Sequence, residues 1–534
     1  MNYPPYKDIY LLHQTIALHA ERDPDATAFR FQDESISYAG LYEQASRLSS
    51  VLYQLNIQPG DRVGIFVFKS LHTAISVYGI LSAGAVYVPL DPLMPESRLT
   101  RIICDCNLEV IISERSRLPI LRKAAANARR LRAVIGVENS GDEFEGITWS
   151  DVSSQPASHT RPVSVVEEDL AYIMYTSGST GVPKGLMHTH KSGLSYAKQS
   201  AHTYGLSPSD RLGNHAPLHF DMSTMEYLAA PLVGATTIIV PEDHTKIPVS
   251  LAQLIENEKL TIWYSVPFAL IQLLLHGLLH ERNLSSLRWI IYGGEPFPTK
   301  YLKELMVLFS NARFSNSYGP AEVNQCTFYH IPATENYSDD SVPIGKPWGN
   351  TQVLVVDEQD NTVAPGETGE LLVRSPTMML GYWGQQEMTA RSVFIDCDKY
   401  GVEKKFYRTG DLVCARPDGE LLFMGRKDRQ IKSRGYRIEL DEIESALYRC
   451  DGVQEAAAYG VDGTDGSQSI ESAVILKNGA NLNSSTLKKL ISAHLPTYAL
   501  PQRITIMSEF PRTGSNKIDR LALARSIGGQ KQTA

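Results

Sequence analysis

The run Thr176-Ser-Gly-Ser-Thr-Gly-Val-Pro-Lys184-Gly185 holds three glycines, four hydroxyl side chains and one lysine. Such a loop is rich in donors and poor in bulk. Its backbone N–H groups can close around phosphate oxygens while the lysine adds a point charge. The preceding Leu170-Ala-Tyr-Ile-Met-Tyr175 reads as a buried strand. The loop therefore sits at a strand end, where open α/β sheets bind ligands. A Walker loop is excluded, because Pro183 and Gly185 stand where that pattern needs Gly and Ser or Thr. The alternative for so glycine-rich a run is a flexible surface turn.

Outward from the loop, apolar β-branched runs alternate with longer amphipathic stretches, as in parallel sheets covered by helices. Arg62–Val67 predicts a strand, Leu71–Leu81 a helix and Gly84–Val88 a second strand, which is one βαβ unit. Strands are likewise predicted at 108–112, 133–137, 235–240, 261–266 and 287–292. From Gln352 the texture changes to short strands with Gly/Asp turns, a small antiparallel or barrel-like section. Gly425-Arg-Lys-Asp-Arg429 is a candidate boundary, and beyond Ile438 the helix–strand alternation restarts. The tail after Leu523 is expected to fray.

The chain has 534 residues, more than one core usually organises, so two or more domains are expected. A net charge of -8 and the lack of a basic patch interleaved with aromatics speak against a nucleic-acid partner. No apolar run reaches the ~20 residues of a membrane span, and the N-terminus lacks a signal-peptide pattern, so no membrane partner and a cytoplasmic location are expected. The six scattered cysteines predict reduced, mostly buried thiols and no metal cluster.

Three further motifs share one chemistry. Asn316-Ser-Tyr-Gly-Pro-Ala-Glu322 sets an aromatic ring and a carboxylate around a turn. Tyr318 can stack on a flat base, and Glu322 can hold Mg²⁺ beside phosphates. Tyr407-Arg-Thr-Gly-Asp411 ends in an acid suited to two ribose hydroxyls, and Gly425-Arg-Lys-Asp428 offers Arg426 to the phosphate side. Singly, each could be a surface turn or a solvated charge.

Together with Leu81–Pro92, Gly369-Glu-Leu, Gly381-Tyr-Trp, Lys432–Glu439 and Gly514–Arg520, these motifs resemble the adenylate-forming superfamily. That group holds acyl-CoA synthetases, luciferases and the adenylation domains of nonribosomal peptide synthetases. The resemblance implies an α/β fold. A large N-terminal core, 1–427, is made of layered sheets and helices plus a small barrel-like section. A small mobile α+β C-terminal lid, 428–534, is hinged at Asp428. It implies ATP and Mg²⁺ as cofactors, with Lys517 catalytic, bridging the substrate carboxylate and the α-phosphate. It assigns Thr176, Ser177, Gly178, Ser179, Thr180, Lys184, Gly294, Glu295, Pro296, Asn316, Ser317, Tyr318, Gly319, Ala321, Asp411, Phe423 and Arg426 to ATP or AMP, and Glu322 to the metal. Phe423 departs from the common pattern, where a Tyr is frequent near the ribose.

His219-Phe-Asp221-Met-Ser-Thr-Met225 resembles the region where amino-acid-activating members set an Asp against the substrate ammonium. A buried carboxylate needs such a partner, which favours an amino acid over a plain acid. Asp221 as the N-cap of a helix Met222–Leu228 is the other reading, and both roles can coexist. The resemblance places His219, Asp221, Met222, Met225, Tyr264, Ile291, Gly293, Gln325 and Cys326 around the substrate, with Ser317 and Lys517. This set is similar to that of free-standing L-prolyl-carrier-protein ligases, and implies L-proline, although Ser317 and Gln325 are more polar than such a side chain requires. His188 and His190 are expected to be structural. No carrier domain follows Arg520, so a phosphopantetheinyl carrier protein is expected in trans. The alternatives are an acyl- or aryl-CoA ligase, a D-alanine-type carrier-protein ligase, or a catalytically silent scaffold.

Overall fold

The structure is a computed structural model that describes residues 8–128, 130–138, 143–157, 164–178, 182–332, 342–463, 468–512 and 518–528. The chain gathers into two compact units. The first holds Met1–Pro92, Ile103–Tyr175 and Gly185–Lys427; the second holds Leu93–Ile102, Thr176–Lys184 and Asp428–Ala534.

In the first unit, among the described residues, eight strands form a sheet in the order Gly381–Tyr382, Lys184–Thr189, Leu170–Thr176, Val86–Pro89, Arg62–Phe66, Val110–Ser113, Ala133–Ile135 and Glu145–Ile147. The strands from Val86 outward pair in parallel. All four residues of Val110-Ile-Ile-Ser113 are buried, the continuous apolar run of a strand covered on both faces. The helix Leu71–Ser82 is buried without a break from Thr73 to Leu81, so it lies inside the layers.

A second sheet of nine strands runs Lys346–Pro347, Thr327–Ile331, Arg313–Tyr318, Trp289–Gly293, Ile262–Ser265, Arg211–Asn214, Thr236–Ile239, Thr27–Phe31 and Glu34–Ser37. The helix His190–Tyr204 is opened by a reciprocal Thr189–Ser192 capping box. The section after Gln352 is antiparallel, with Gln352–Val356, Thr368–Arg374, Glu403–Ala415 and Val393–Cys397 in order and Leu421–Arg426 paired to Glu403–Ala415.

The second unit has a hairpin, Gln430–Ser433 with Tyr436–Glu439, and a sheet of Val453–Asp462, Gln468–Leu476 and Arg503–Met507. The helices Leu440–Tyr448 and Ser484–Ile491 belong to it too, and the first buries Ile443 and Leu447.

Three sequence expectations are corrected. The tail, expected to fray after Leu523, is helical as far as Gly528, in the helix Arg520–Gly528, and residues 529–534 lie outside the described residues. Leu523 is fully buried in a cluster with Ala457, Tyr459, Ala473 and Phe510, and Arg520 donates to the Glu444 carboxylate, so both apolar and charged contacts hold the helix. The cysteines are not mostly buried: Cys106, Cys326 and Cys450 are, whereas Cys104 and Cys397 are exposed and Cys414 is intermediate. The helix Met222–Leu228 that the alternative reading of Asp221 required is a 3-10 turn, Asp221–Ser223, followed by a π-helix, Met225–Ala229. The Thr224 hydroxyl takes the Asp221 carbonyl and so competes with the regular helical ladder.

Candidate active site

The strands Ile262–Ser265, Trp289–Gly293 and Arg313–Tyr318 are parallel neighbours, so their carboxyl ends share one edge of the sheet. Register sets Tyr264 beside Ile291 and Gly293 beside Ser317, and the Tyr264 hydroxyl lies 3.4 Å from Ser317 Oγ. The strand Arg211–Asn214 ends on the same edge and leads through His215–Phe220 to Asp221. Asp221 is half-buried, with Met222 beside it and Met225 fully buried. Asp221 is not the cap of its turn, since Phe220 holds that place; its Oδ1 accepts the Met222 N–H at 2.9 Å. Burial raises the Tyr172 phenol, and the Asp221 charge raises it further. Burial likewise raises Tyr264, against the opposing Ser317 bond, with Asp221 adding to the rise. The carboxylate therefore makes itself felt on two strands at once.

Gln325 and Cys326 are buried beyond the Asn316–Glu322 turn. The Gln325 amide donates to the Tyr204 hydroxyl at 2.9 Å while its oxygen has no partner, and Cys326 Sγ points at the Tyr318 carbonyl. His219 is half-buried against Phe220.

The second group centres on Asp411, which is 1% exposed. Its Oδ2 accepts the Tyr318 hydroxyl and its Oδ1 pairs with Arg426 Nη1, each at 2.5 Å. Tyr318 is thus more than a ring, since its hydroxyl anchors the acid. Arg426 is held by that acid, a partner the motif reading did not anticipate. Phe423 is partly buried on the cluster that contains Tyr318. Asn316 donates from its amide to the Pro343 carbonyl at 2.8 Å, and Gly319 and Ala321 are half-buried in the turn. Gly294 follows the sheet edge at φ 93°, Glu295 Oε1 accepts the Phe268 N–H, and Pro296 is exposed. Glu322 is fully buried and accepts the Tyr382 hydroxyl at 3.0 Å.

Both expected structural histidines sit in packed surroundings. His188 stacks on Tyr172 and meets the Ala321 carbonyl, and burial pushes its pKa down to about 4. His190 accepts the Leu12 N–H, and burial pushes it down to about 3.

The glycine-rich loop belongs to the second unit. It links two strands instead of opening a helix, so its donors are loop amides and side chains. Within that unit the Ser177 hydroxyl donates to the Arg437 carbonyl at 2.8 Å, Lys184 is 9% exposed, and Thr176 Oγ1 is buried without a partner. Gly178 is described, whereas Ser179, Thr180 and Lys517 lie outside the described residues. Asp428 is exposed, opens the last segment of the second unit, and its Oδ1 accepts the Gln430 N–H.

Residues 16–383 match the model of the AMP-binding enzyme family, and 442–517 match that of the AMP-binding enzyme C-terminal domain. The chain belongs to the AMP-binding enzyme family. It is 33% identical, over 97% of its length and 100% of the relative's, to an L-proline–[L-prolyl-carrier protein] ligase of Pseudomonas fluorescens. It is 32% identical to a ligase of the same description from Streptomyces coelicolor, over 96% and 95%. In fold it is similar to the amide bond synthetase McbA of Marinactinospora thermotolerans, with a TM-score of 0.83 at 23% identity over 97% and 99%.

In this AMP-binding enzyme several neighbours of the candidate residues carried no mark in the sequence. Gly381-Tyr-Trp stood out as a motif, yet nothing in it pointed to the bond between Tyr382 and Glu322. Tyr172, Thr224 and Asn324 meet the site only through folding. Among the described residues no helix is long and apolar enough to cross a membrane.

Proposed function

We propose that this enzyme uses ATP to activate an amino acid, with L-proline as the best candidate, as the aminoacyl-AMP. It then passes the acyl group to the phosphopantetheine thiol of a separate carrier protein. The observation that carries the reading is Asp221, a half-buried carboxylate at the ligand-binding edge of the sheet among Met222, Met225 and Tyr264. A carboxylate so placed suits the α-ammonium of an amino acid, because a charge held partly out of water is stabilised by an opposite one. Proline's secondary ammonium offers one N–H fewer, which suits an apolar wall. A carrier protein as acceptor is supported by relatives named for one, the first of which this chain spans end to end.

A carboxylate is a poor acyl donor because oxide is a poor leaving group. Its oxygen attacks the α-phosphorus, the bond to the β-phosphate oxygen breaks, and pyrophosphate leaves with the electron pair. Repulsion between two anions is the main barrier, so the site has to supply cations and donors. Lys517 bridges the two reacting anions. Thr176 to Lys184 hold the β- and γ-phosphates, and Asp411 takes the ribose. Each Asp411 oxygen already accepts one bond and keeps a further lone pair, so two ribose hydroxyls can be added without displacing Tyr318 or Arg426.

Among the described residues no cluster of three or more His, Cys, Asp or Glu forms a metal cage. Glu322 fits as the one carboxylate that Mg²⁺ takes from a protein when a polyphosphate supplies the other oxygens. Bound there, the ion would neutralise phosphate charge.

The test is ATP–pyrophosphate exchange over the proteinogenic amino acids, proline-ring analogues and simple acids, followed by transfer to a holo-carrier protein or to CoA. Exchange with an amino acid and loading of the carrier are expected. Exchange only with non-amino acids, or transfer only to CoA, overturns the reading. Lys517→Ala is expected to abolish exchange while leaving the melting temperature unchanged.

A further inference from the structure

Thr224 and Asn324 lie 100 residues apart in sequence, and both are buried, at 1% and 6% exposure. The Asn324 amide donates to Thr224 Oγ1 at 3.1 Å, and that hydroxyl donates its proton to the Asp221 carbonyl. A hydroxyl has one proton. With the amide occupying a lone pair, that proton is committed to Asp221. The Asp221 carboxylate is steered separately by the Met222 N–H, so main chain and side chain of this residue are each held.

The other end of the relay is equally fixed. Asn324 has φ 55° and closes the turn that begins at Gly319. A Cβ on Gly319 would fall 1.6 Å from the Asn324 carbonyl oxygen, so the two backbones touch and only glycine fits there. The Val323 carbonyl accepts the Thr377 hydroxyl, and the Glu322 carbonyl accepts the Met379 N–H, which clamps the turn from outside. The strand that leads into the turn ends in Tyr318, the partner of Asp411.

We propose that Asn324 is a positioning residue that ties Asp221 to the nucleotide-side turn 319–324, so that amino acid and nucleotide bind with positive coupling. The proposal rests on the reading of Asp221 as the ammonium anchor. Binding of nucleotide against Tyr318 and Asp411 stiffens the turn; Asn324 and Thr224 transmit that stiffness to Asp221, and the amino acid then orders less on entry.

The simpler role for Asn324 is to be a residue that tolerates a left-handed backbone. Asn324→Gly separates the two, because glycine keeps the backbone and removes the amide. Thr224→Val removes the hydroxyl at nearly constant shape, and Thr224→Ser restores it. Each variant is assayed as the full chain, with L-proline or the amino acid that the exchange panel selects. The readouts are KM for amino acid and for ATP, kcat of exchange, and calorimetric affinity for the amino acid with and without α,β-methylene-ATP.

Asn324→Gly and Thr224→Val are each expected to raise the amino-acid KM at saturating ATP about tenfold and the ATP KM at saturating amino acid by a similar factor, while the affinity for ATP alone changes less than about twofold. The gain in amino-acid affinity from the analogue is expected to fall towards one. The double variant is expected to be no worse than either single one, as for two members of one relay, and Thr224→Ser to restore the parent values. Parent-like KM and coupling in Asn324→Gly, additive losses in the double variant, or losses in Thr224→Ser equal to those in Thr224→Val overturn the proposal. Should Asn324→Gly not fold, the Thr224 pair decides alone. Asp221→Asn is run alongside: an unchanged amino-acid KM there removes the anchor reading and this proposal with it. A raised KM there with parent-like relay variants removes this proposal only.

Discussion

Asp411→Asn keeps the shape of the side chain and removes its charge. In the parent, the carboxylate is 1% exposed and pairs with an Arg426 side chain that is 10% exposed. Losing one member of a buried pair costs about 3–5 kcal/mol when the other is left without a counter-charge. The new amide oxygen still accepts one donor, so a loss near the lower limit, about 3 kcal/mol, is expected in the unfolding of the first unit. The functional loss is a separate quantity. A hydrogen bond from a ribose hydroxyl to a carboxylate is worth about 1.5–3 kcal/mol, or about 10- to 150-fold in ATP affinity. The assay is calorimetric binding of ATP, 2′-deoxyATP and 3′-deoxyATP, beside scanning calorimetry of the same samples. The parent is expected to discriminate against at least one deoxy analogue about tenfold or more, and the variant much less. Stability lost with ATP affinity and deoxy discrimination intact refutes the reasoning, because Asp411 would then be only a partner for Arg426. Arg426→Met alone is expected to destabilise more than its combination with Asp411→Asn, since the combination leaves no buried charge behind.

Three further outcomes are expected. His188 and His190 are 2% and 0% exposed, and their folded pKa values lie below the unfolded 6.5. Their contribution is therefore complete above pH 6.5 and is lost as pH falls towards 4, at about 1.4 kcal/mol per pH unit for each imidazole. Burial pushes His13 and His215 down to about 4 and about 3 as well, so His188→Gln should remove about a quarter at most of the slope in melting temperature against pH, and an unaltered slope counts against the assignment. Glu322→Gln should raise the Mg²⁺ concentration for half-maximal exchange about tenfold or more, whereas an unchanged Mg²⁺ dependence takes Glu322 out of the metal site. Gly293→Ala sets a Cβ 2.3 Å from the Ser317 carbonyl oxygen, between two strands that cannot part freely. A loss of about 1–3 kcal/mol and a raised amino-acid KM are expected, and a parent-like enzyme contradicts the close approach of these strands.

The alternation of strands and helices, the antiparallel section after Gln352 and the family are legible in the amino-acid order alone. Those properties lie in local pattern, in turn chemistry and in motifs whose residues stand next to one another, such as Thr176–Gly185 and Tyr407–Asp411. It also marked Asp221, Tyr318, Asp411 and Arg426 one by one. Folding alone brings Tyr318 and Arg426 together on Asp411, Tyr382 to Glu322 and Asn324 to Thr224. Each pairing joins segments between 15 and 100 residues apart. A hydrogen bond has no periodicity that a sequence can display; strand register and the close packing of backbones choose the partner. The same reason explains the helix Arg520–Gly528. Packing of Leu523 against Ala457, Tyr459, Ala473 and Phe510 holds a helix where a loose tail was expected, whereas at Met225 the competing bond is local, from the Thr224 hydroxyl to the Asp221 carbonyl.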